Sequence, residues 1–394
     1  MLQLPSGEGV LPDHYLRAAI AEGVIDAGRF KIPASNIQPA SLDLRLGEVA
    51  YRIRCSFLPH RDSVEAGVKD LIVDELDLRN EGVVLETGRP YLIPLKEALN
   101  LPPGIRGKAN PKSSTGRADV FTRVITDGSD RFDEIADGYS GKLFLEVVPL
   151  SFPVRVREDL SLNQLRLALG RAEMTDAALR AHHALDPILF ADGAPVPAER
   201  LALSNGLFLG LDLRANSHGR VGYRARSSAP LLDMTRIGEA DPEQFWEPVK
   251  PEDGNRIVLT PKDFYLLMSY EAVRIPSGLA AEMTAYDPTS GELRTHYAGF
   301  FDPGFGVDAS GNVQTGSTAA LEVRAHDVPF MIEHRQGVCK LTFEKMLAEP
   351  DRLYGQGIGS NYQGQTETLG KHFRLDAVAA GPHQPKHRRS LGEA

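Results

Sequence analysis

Several hallmarks of other protein classes are missing from this chain of 394 residues. Its two cysteines, Cys55 and Cys339, lie in different halves and form no metal-binding spacing, which fits a reducing compartment. No apolar run approaches the roughly 20 residues of a membrane-spanning helix, and the amino terminus lacks the basic region and apolar core of a signal peptide. With 44 basic and 53 acidic residues, the net charge of −9 argues against broad nucleic-acid binding. We therefore expect a cytoplasmic protein that binds neither membranes nor nucleic acids.

An internal repeat is the strongest positive feature of the sequence. Residues 90–105 recur as residues 264–279, so that Tyr91 matches Tyr265. Three further pairs of short segments match in the same order along the two halves: 13–18 with 176–181, 42–45 with 211–214, and 145–147 with 321–323. The spacing between matched segments drifts slowly, as loop insertions after a duplication would cause. The sequence therefore predicts one domain present twice.

Each half begins with a helical pattern and continues in short apolar runs separated by Gly, Pro, Asn and Asp. Leu16, Ile20 and Val24 fall on one helical face in the first half, and Thr175 has the position of an N-cap in the second. Many short strands at this spacing favour an antiparallel barrel or sandwich over alternating βαβ units. We expect a mainly β chain with short helices, divided into domains at residues 1–172 and 173–380, and a disordered tail at 381–394.

Four short segments carry residue types that can do chemistry. Residues 112–117, Lys-Ser-Ser-Thr-Gly-Arg, combine hydroxyls, a glycine and cations in a way that suits an oxyanion. In residues 138–146, a glycine-rich turn precedes a strand whose apolar run ends in Glu146, a candidate general base. Residues 300–306 and 361–366 add an Asp-Pro-Gly turn and a polar, glycine-containing loop. Taken singly, each segment also fits an ordinary turn, an exposed strand residue or a flexible loop.

Taken together, these segments resemble the dCTP deaminase and dUTPase superfamily. Residues 37–47 are similar to its early strand, and residues 112–117 to its Arg-Ser-Ser-x-x-Arg motif. Residues 138–146 resemble the hairpin and strand that carry the deaminase's catalytic glutamate, and residues 362–365 the Tyr-Gln-Gly-Gln of its C-terminal lid. The resemblance covers nearly the whole chain and is greatest to the long, duplicated form of dCTP deaminase.

The resemblance implies two tandem dUTPase-like distorted β-barrels (jelly-roll-like) and hydrolytic deamination of dCTP to dUTP and ammonia, a step in dTTP precursor synthesis. The His-x-Glu and Pro-Cys-x-x-Cys pair of zinc deaminases is absent, so no zinc and no protein metal site is expected. Mg²⁺ would accompany the triphosphate, and dTTP is a candidate inhibitor. The implied catalytic residues are Glu146, Ser113 and Arg117, and the implied substrate-binding residues are Lys112, Ser114, Asp137, Asp302, Tyr362 and Gln365.

The two halves differ in which parts of this pattern they keep. The second half has Asp302 and Glu322 at the positions expected from the repeat, but residues 286–294 replace the serine motif and include acidic Asp287 and Glu292. In the first half, the aspartate of the family's Ile-Asp-Pro-Gly turn is displaced by one residue, to Asp137. The pattern therefore leaves two candidates for the catalytic glutamate.

Two arrangements of the site follow from the resemblance. Family sites lie between subunits of a threefold ring, and a ring of three cannot alternate two kinds of domain. We therefore expect a homotrimer in which first halves gather and place Ser113 and Arg117 beside Glu146. The rival arrangement is a composite site that joins the first half's serines to Asp302 and Glu322. Two other functions stay open: a pyrophosphatase or bifunctional enzyme that yields dUMP, and a non-catalytic nucleotide sensor.

Overall fold

A computed structural model gives the structure of the chain and describes residues 2–284, 293–295, 299–307, 316–355, 362 and 367–374. The predicted tail at 381–394 lies outside these ranges. The first half contains three α-helices, two 3-10 turns and thirteen strands within the described residues. The helices are α1 (Asp13–Ala21), α2 (Val64–Val68) and α3 (Ser113–Gly116), and the 3-10 turns are Ala34–Asn36 and Lys69–Leu71. The strands are β1 (Gly9–Val10), β2 (Ile25–Asp26), β3 (Leu42–Leu44), β4 (Val49–Ile53), β5 (Ile72–Asp77), β6 (Val83–Leu85), β7 (Tyr91–Asn100), β8 (Ile105–Pro111), β9 (Val120–Ile125), β10 (Glu134–Ile135), β11 (Ser140–Pro149), β12 (Val154–Val156) and β13 (Asn163–Leu169).

The second half, where it is described, is likewise built from short helices and many strands. Its helices are α4 (Asp176–Leu185) and α5 (Pro242–Phe245), with a 3-10 turn at Ala198–Arg200. Its strands are β14 (Leu189–Ala191), β15 (Ala194–Pro195), β16 (Leu207–Gly210), β17 (Gly222–Ala225), β18 (Leu232–Asp233), β19 (Trp246–Val249), β20 (Arg256–Leu259), β21 (Phe264–Val273), β22 (Leu279–Thr284), β23 (Leu293–Thr295), β24 (Gly299–Phe301), β25 (Ser317–Ala325), β26 (Phe330–Glu333) and β27 (Gly337–Lys345). The predicted mainly β fold with short helices is confirmed. No helix in the described ranges is long and apolar enough to cross a membrane.

The helices begin where local chemistry favours them. Thr175 caps α4, because its hydroxyl accepts a hydrogen bond from the amide of Ala178 at 3.2 Å. Helix α1 buries Leu16 and Ala19 in the hydrophobic core of the first half. It ends before the predicted Val24, since Gly23 takes a φ of 72° that a helix cannot continue.

The two halves pair their strands in the same pattern. In the first half β11 pairs with β7 and β13 with β8, and in the second half β25 pairs with β21 and β27 with β22, all antiparallel. The register places Glu146 opposite Leu92 and Glu322 opposite Leu266. These two carboxylates therefore occupy equivalent positions in their sheets. The duplication as an ancestral event stays a prediction.

The two halves share an extensive interface. Strand β18 of the second half adds in parallel to β12 of the first. Beside it, the ring of Phe152 meets those of Phe245 and Trp246 edge-on, with centroids 5.2 Å apart in each case. The buried core of the first half continues into second-half residues at this point. The position of the boundary at residues 172 and 173 stays a prediction, but the contact between the halves determines the geometry of the site.

Candidate active site

The hydroxyl-rich segment predicted to bind an oxyanion forms the short helix α3, directly after β8. The amide of Gly116 donates to the carbonyl of Lys112, and that of Arg117 to the carbonyl of Ser113, each at 3.0 Å. This single turn buries Ser114 and Arg117 and leaves Ser113 exposed. The helix therefore presents hydroxyls and cations from one fixed backbone.

A cavity of about 300 Å³ lies in front of α3, between the two halves. Its first-half wall includes Lys112, Ser113, Ser114 and Arg117. Its second-half wall includes Asp302, Glu322 and Tyr362. The structure therefore brings together seven of the residues that the sequence analysis named, and it takes them from both halves. This volume is at the lower end of what small-molecule sites use.

Glu322 is one of the buried carboxylates that line this cavity. It projects from β25 and is only 7% exposed. Burial disfavours its charged form and raises its pKa to about 7, while the nearby Arg117 guanidinium opposes the shift and Asp119 adds to it. A carboxyl group with a pKa near neutrality can both accept and return a proton, as a general acid-base catalyst must.

Arg117 links the cavity to the C-terminal segment. Its Nη1 donates to the carbonyl of Thr368 at 3.2 Å, and its guanidinium carbon lies 3.8 Å from the centre of the Tyr362 ring. The Tyr362 hydroxyl in turn accepts a hydrogen bond from the amide of Lys371 at 3.2 Å. Burial raises the pKa of Tyr362, and the arginine opposes that shift. The phenol is therefore held as a neutral packing surface for the guanidinium.

Asp302 is fixed by a second arginine, Arg166. Its Oδ1 accepts from Nη2 of Arg166 at 3.0 Å, and Nη1 of the same guanidinium donates to Glu344 at 2.9 Å. The Ser41 hydroxyl donates to the other carboxylate oxygen of Asp302 at 3.4 Å. Burial raises the pKa of Asp302 and Arg166 opposes it. The carboxylate is thus oriented by partners that reach it from the first half.

Within the single chain, Glu146 does not line this cavity. It is fully buried on β11, directly opposite Arg123 of β9. The guanidinium of Arg123 donates to Oε1 of Glu146 from Nη2 at 2.5 Å and from Nε at 3.1 Å, and it packs on the Phe132 ring at 3.7 Å. Within the chain, the second half packs against α3, so that Ser113 and Arg117 share the cavity with Glu322, as in the composite arrangement. The contacts between the first halves of separate chains stay a prediction.

Asp137, another predicted substrate-binding residue, does not line the cavity. Both carboxylate oxygens of Asp137 accept hydrogen bonds from the amide of Gly104, at 2.9 and 3.1 Å. Asp137 therefore closes the turn between β7 and β8 instead of facing a ligand. Gln365 lies outside the described residues.

Sequence reasoning missed several residues of the cavity wall. Asp43 forms an ion pair with Lys112 and accepts from Nε2 of Gln164 at 3.1 Å. Lys371 and Tyr354 complete the wall from the C-terminal part of the chain. Asp43 stands in the repeated Leu-Asp-Leu-Arg segment, so a signal for it existed. No sequence motif indicates that Lys371 lines the cavity.

The fold defines a mainly β, dUTPase-like protein with a polar cavity between its halves, the class that the resemblance implied. Two family models match the chain: the 2'-deoxycytidine 5'-triphosphate deaminase N-terminal domain over residues 7–171, and the C-terminal domain of the same family over residues 175–373. The chain therefore belongs to the 2'-deoxycytidine 5'-triphosphate deaminase family, an enzyme family of nucleotide metabolism, which confirms the recognition made from the sequence.

Individual relatives agree with this assignment. The crystal structure of 2'-deoxycytidine 5'-triphosphate deaminase from Agrobacterium tumefaciens is 42% identical in sequence, with a TM-score of 0.79, and the match covers 86% of this chain and 99% of that one. A "dCTP deaminase, dUMP-forming" from Halobacterium salinarum is 31% identical over 160 residues, 40% of this chain and 75% of that protein. A "dCTP deaminase" from Natronomonas pharaonis is 28% identical over 162 residues, 40% of this chain and 78% of that protein.

Proposed function

We propose that this protein converts dCTP and water to dUTP and ammonia in the cavity between its halves, with Glu322 as the general base. The observation that carries the proposal is the position of Glu322. It is a buried carboxylate with a pKa of about 7, and it shares a cavity with the hydroxyls and the arginine of α3. The equivalent Glu146 forms an ion pair with Arg123 instead.

The proposed reaction balances as a hydrolysis at C4 of the cytosine ring. Glu322 takes one proton from a water molecule whose oxygen bonds to C4, and it delivers that proton to N3. The second proton of the water then passes through Glu322 to the amino group, the bond from C4 to nitrogen breaks, and ammonia leaves. Ser113 and Arg117 would hold the water and stabilise the charge that develops at the ring. The product keeps the carbonyl oxygen that came from water.

The remaining wall residues would bind the rest of the nucleotide. Lys112 and Ser114 would contact the triphosphate, since hydroxyls and ammonium groups suit phosphate oxygens. Asp302 and Tyr362 would position the nucleoside. The carboxylates Asp43 and Asp302 already have cationic partners, so an accompanying Mg²⁺ would be held mainly by phosphate oxygens and water. We propose no role for zinc.

A bifunctional enzyme that releases dUMP is the second candidate. It is favoured by the relative from Halobacterium salinarum, whose name states that it is dUMP-forming. In that case the same chain would go on to cleave pyrophosphate from the nucleotide. Within either version, we place the enzyme in the cytoplasm, as a homotrimer of duplicated chains that dTTP inhibits.

Product analysis tests the proposal directly. The purified protein is incubated with dCTP and Mg²⁺, nucleotides are resolved by ion-exchange chromatography, and ammonia is assayed in parallel. We expect dUTP and ammonia in equal amounts, whereas ammonia with dUMP and pyrophosphate would establish the bifunctional version. A folded sample that binds dCTP and releases no ammonia would refute deamination and favour a sensor.

A further inference from the structure

Residues 367–374 are anchored firmly to the second half. The side chains of Leu369 and Phe373 are almost fully buried, and Phe373 forms a parallel β-bridge with Ala240. Just before Phe373, the carbonyl of Lys371 accepts a hydrogen bond from the amide of Gly238 at 2.9 Å, and the carbonyl of His372 accepts one from the amide of Ala240 at 3.0 Å. Burial and these hydrogen bonds therefore hold the backbone around Lys371 in place.

The side chain of Lys371 faces the cavity, on the same wall region as Lys112. Lys112 has a counterion, because it forms an ion pair with Asp43. Within the described part of the chain, the ammonium of Lys371 forms no ion pair. Burial and the charge of Lys112 lower the pKa of Lys371, and Asp43 opposes them. Two ammonium groups around one carboxylate leave excess positive charge in a partly buried space, which an anionic ligand would neutralise.

We propose that Lys371 is a phosphate-binding residue of this site, one that contacts the triphosphate of the nucleotide alongside Lys112. This inference rests on the proposed function, and it identifies which part of the substrate the C-terminal segment recognises. The same segment holds Arg117 through the carbonyl of Thr368.

The test compares Lys371→Gln with wild type, using isothermal titration with dCTP, inorganic tripolyphosphate and deoxycytidine. We expect Lys371→Gln to weaken dCTP and tripolyphosphate binding by roughly ten- to a hundredfold, as for a lost charge-assisted hydrogen bond. Deoxycytidine binding should not change, and Lys371→Arg should restore most of the affinity for dCTP. Lys345→Gln is the matched control, because it removes the same charge from an exposed position of β27 outside the cavity.

A second measurement needs no variant. Lysines of the wild-type protein are acetylated with and without saturating dCTP, and mass spectrometry gives the extent of labelling at Lys371 and Lys345. We expect dCTP and tripolyphosphate, but not deoxycytidine, to protect Lys371 and to leave Lys345 unprotected. Equal labelling in all samples, or unchanged dCTP affinity in Lys371→Gln, would overturn the assignment even if wild type releases ammonia. Protection by tripolyphosphate in a protein that never deaminates dCTP would uphold the anion site and refute the proposed function.

Discussion

Replacing each of the two equivalent glutamates with glutamine separates catalysis from stability. Glu322→Gln and Glu146→Gln change the same atom at matching positions of β25 and β11. Only the first residue lines the cavity, whereas the second lies in an ion pair with Arg123. We therefore expect opposite results from the same chemical change.

The sizes of the two effects follow from these environments. Loss of a general base lowers turnover by about 10²–10⁴, which corresponds to about 3–5 kcal/mol at 1.36 kcal/mol per factor of ten. Glu146→Gln should leave turnover within a few-fold of wild type. It should lower the free energy of unfolding by on the order of 3 kcal/mol, because Arg123 loses its buried counterion.

The stability of Glu322→Gln is expected to differ in sign. The pKa of Glu322 in the folded chain, about 7, is above its ordinary value of 4.5. An ionised Glu322 therefore opposes folding, and this penalty grows between about pH 4.5 and pH 7. Glutamine carries no charge, so at pH 8 we expect Glu322→Gln to unfold at the wild-type temperature or above it.

The assays are ammonia release at saturating dCTP, dCTP binding by titration, and thermal unfolding at pH 8. Glu322→Gln should bind dCTP without turning it over, and Glu146→Gln should turn it over with a lower unfolding temperature. Normal turnover in Glu322→Gln would refute the assignment of the base. So would an inactive Glu146→Gln that is folded and still binds dCTP, and the first-half arrangement would then be correct.

Four further predictions follow from the same cavity. The rate of ammonia release should increase with pH up to about 7 and then level off, because the base must be deprotonated to act. A flat profile from pH 5.5 to 8.5 would contradict a base with the pKa of Glu322. Arg117→Ala should reduce both turnover and dCTP affinity and shift this profile to higher pH, because the guanidinium holds the pKa of Glu322 down. Ser113→Ala, measured beside it, should lower turnover with little effect on affinity. Removal of Mg²⁺ with EDTA should raise KM for dCTP without changing the unfolding temperature of the nucleotide-free protein, whereas a lower unfolding temperature would reveal a metal bound by the protein itself.

The fold could be predicted because its signals are local. Strand β7 and its counterpart β21 share a recognisable segment, and short apolar runs between Gly, Pro and Asn mark the other strands. The hydroxyls of α3 could be found for the same reason, since one hexapeptide contains them all. Thr175 was recognisable as a cap from its own position in the chain.

The choice between the two glutamates could not be made in this way. Both stand in the sequence Leu-Glu-Val, at equivalent positions of equivalent strands. The two glutamates differ in whether they face α3, because only the second half packs against this helix within the chain. That packing depends on contacts between residues far apart in the chain, such as the ion pairs of Lys108 with Glu282 and of Arg166 with Glu344. Lys371 was missed because its role depends on an anchored backbone, which no local motif encodes.

The source of the counterion explains why one glutamate faces a cavity and the other does not. A buried carboxylate needs a cation nearby to remain ionised. Glu146 forms an ion pair with Arg123, which lies on the adjacent strand of its own sheet. The cation near Glu322 is Arg117, which belongs to the other half and stands across a cavity. Arg117 and Glu322 line one cavity, and so the packing of one half on the other determines which of the two equivalent carboxylates faces that cavity.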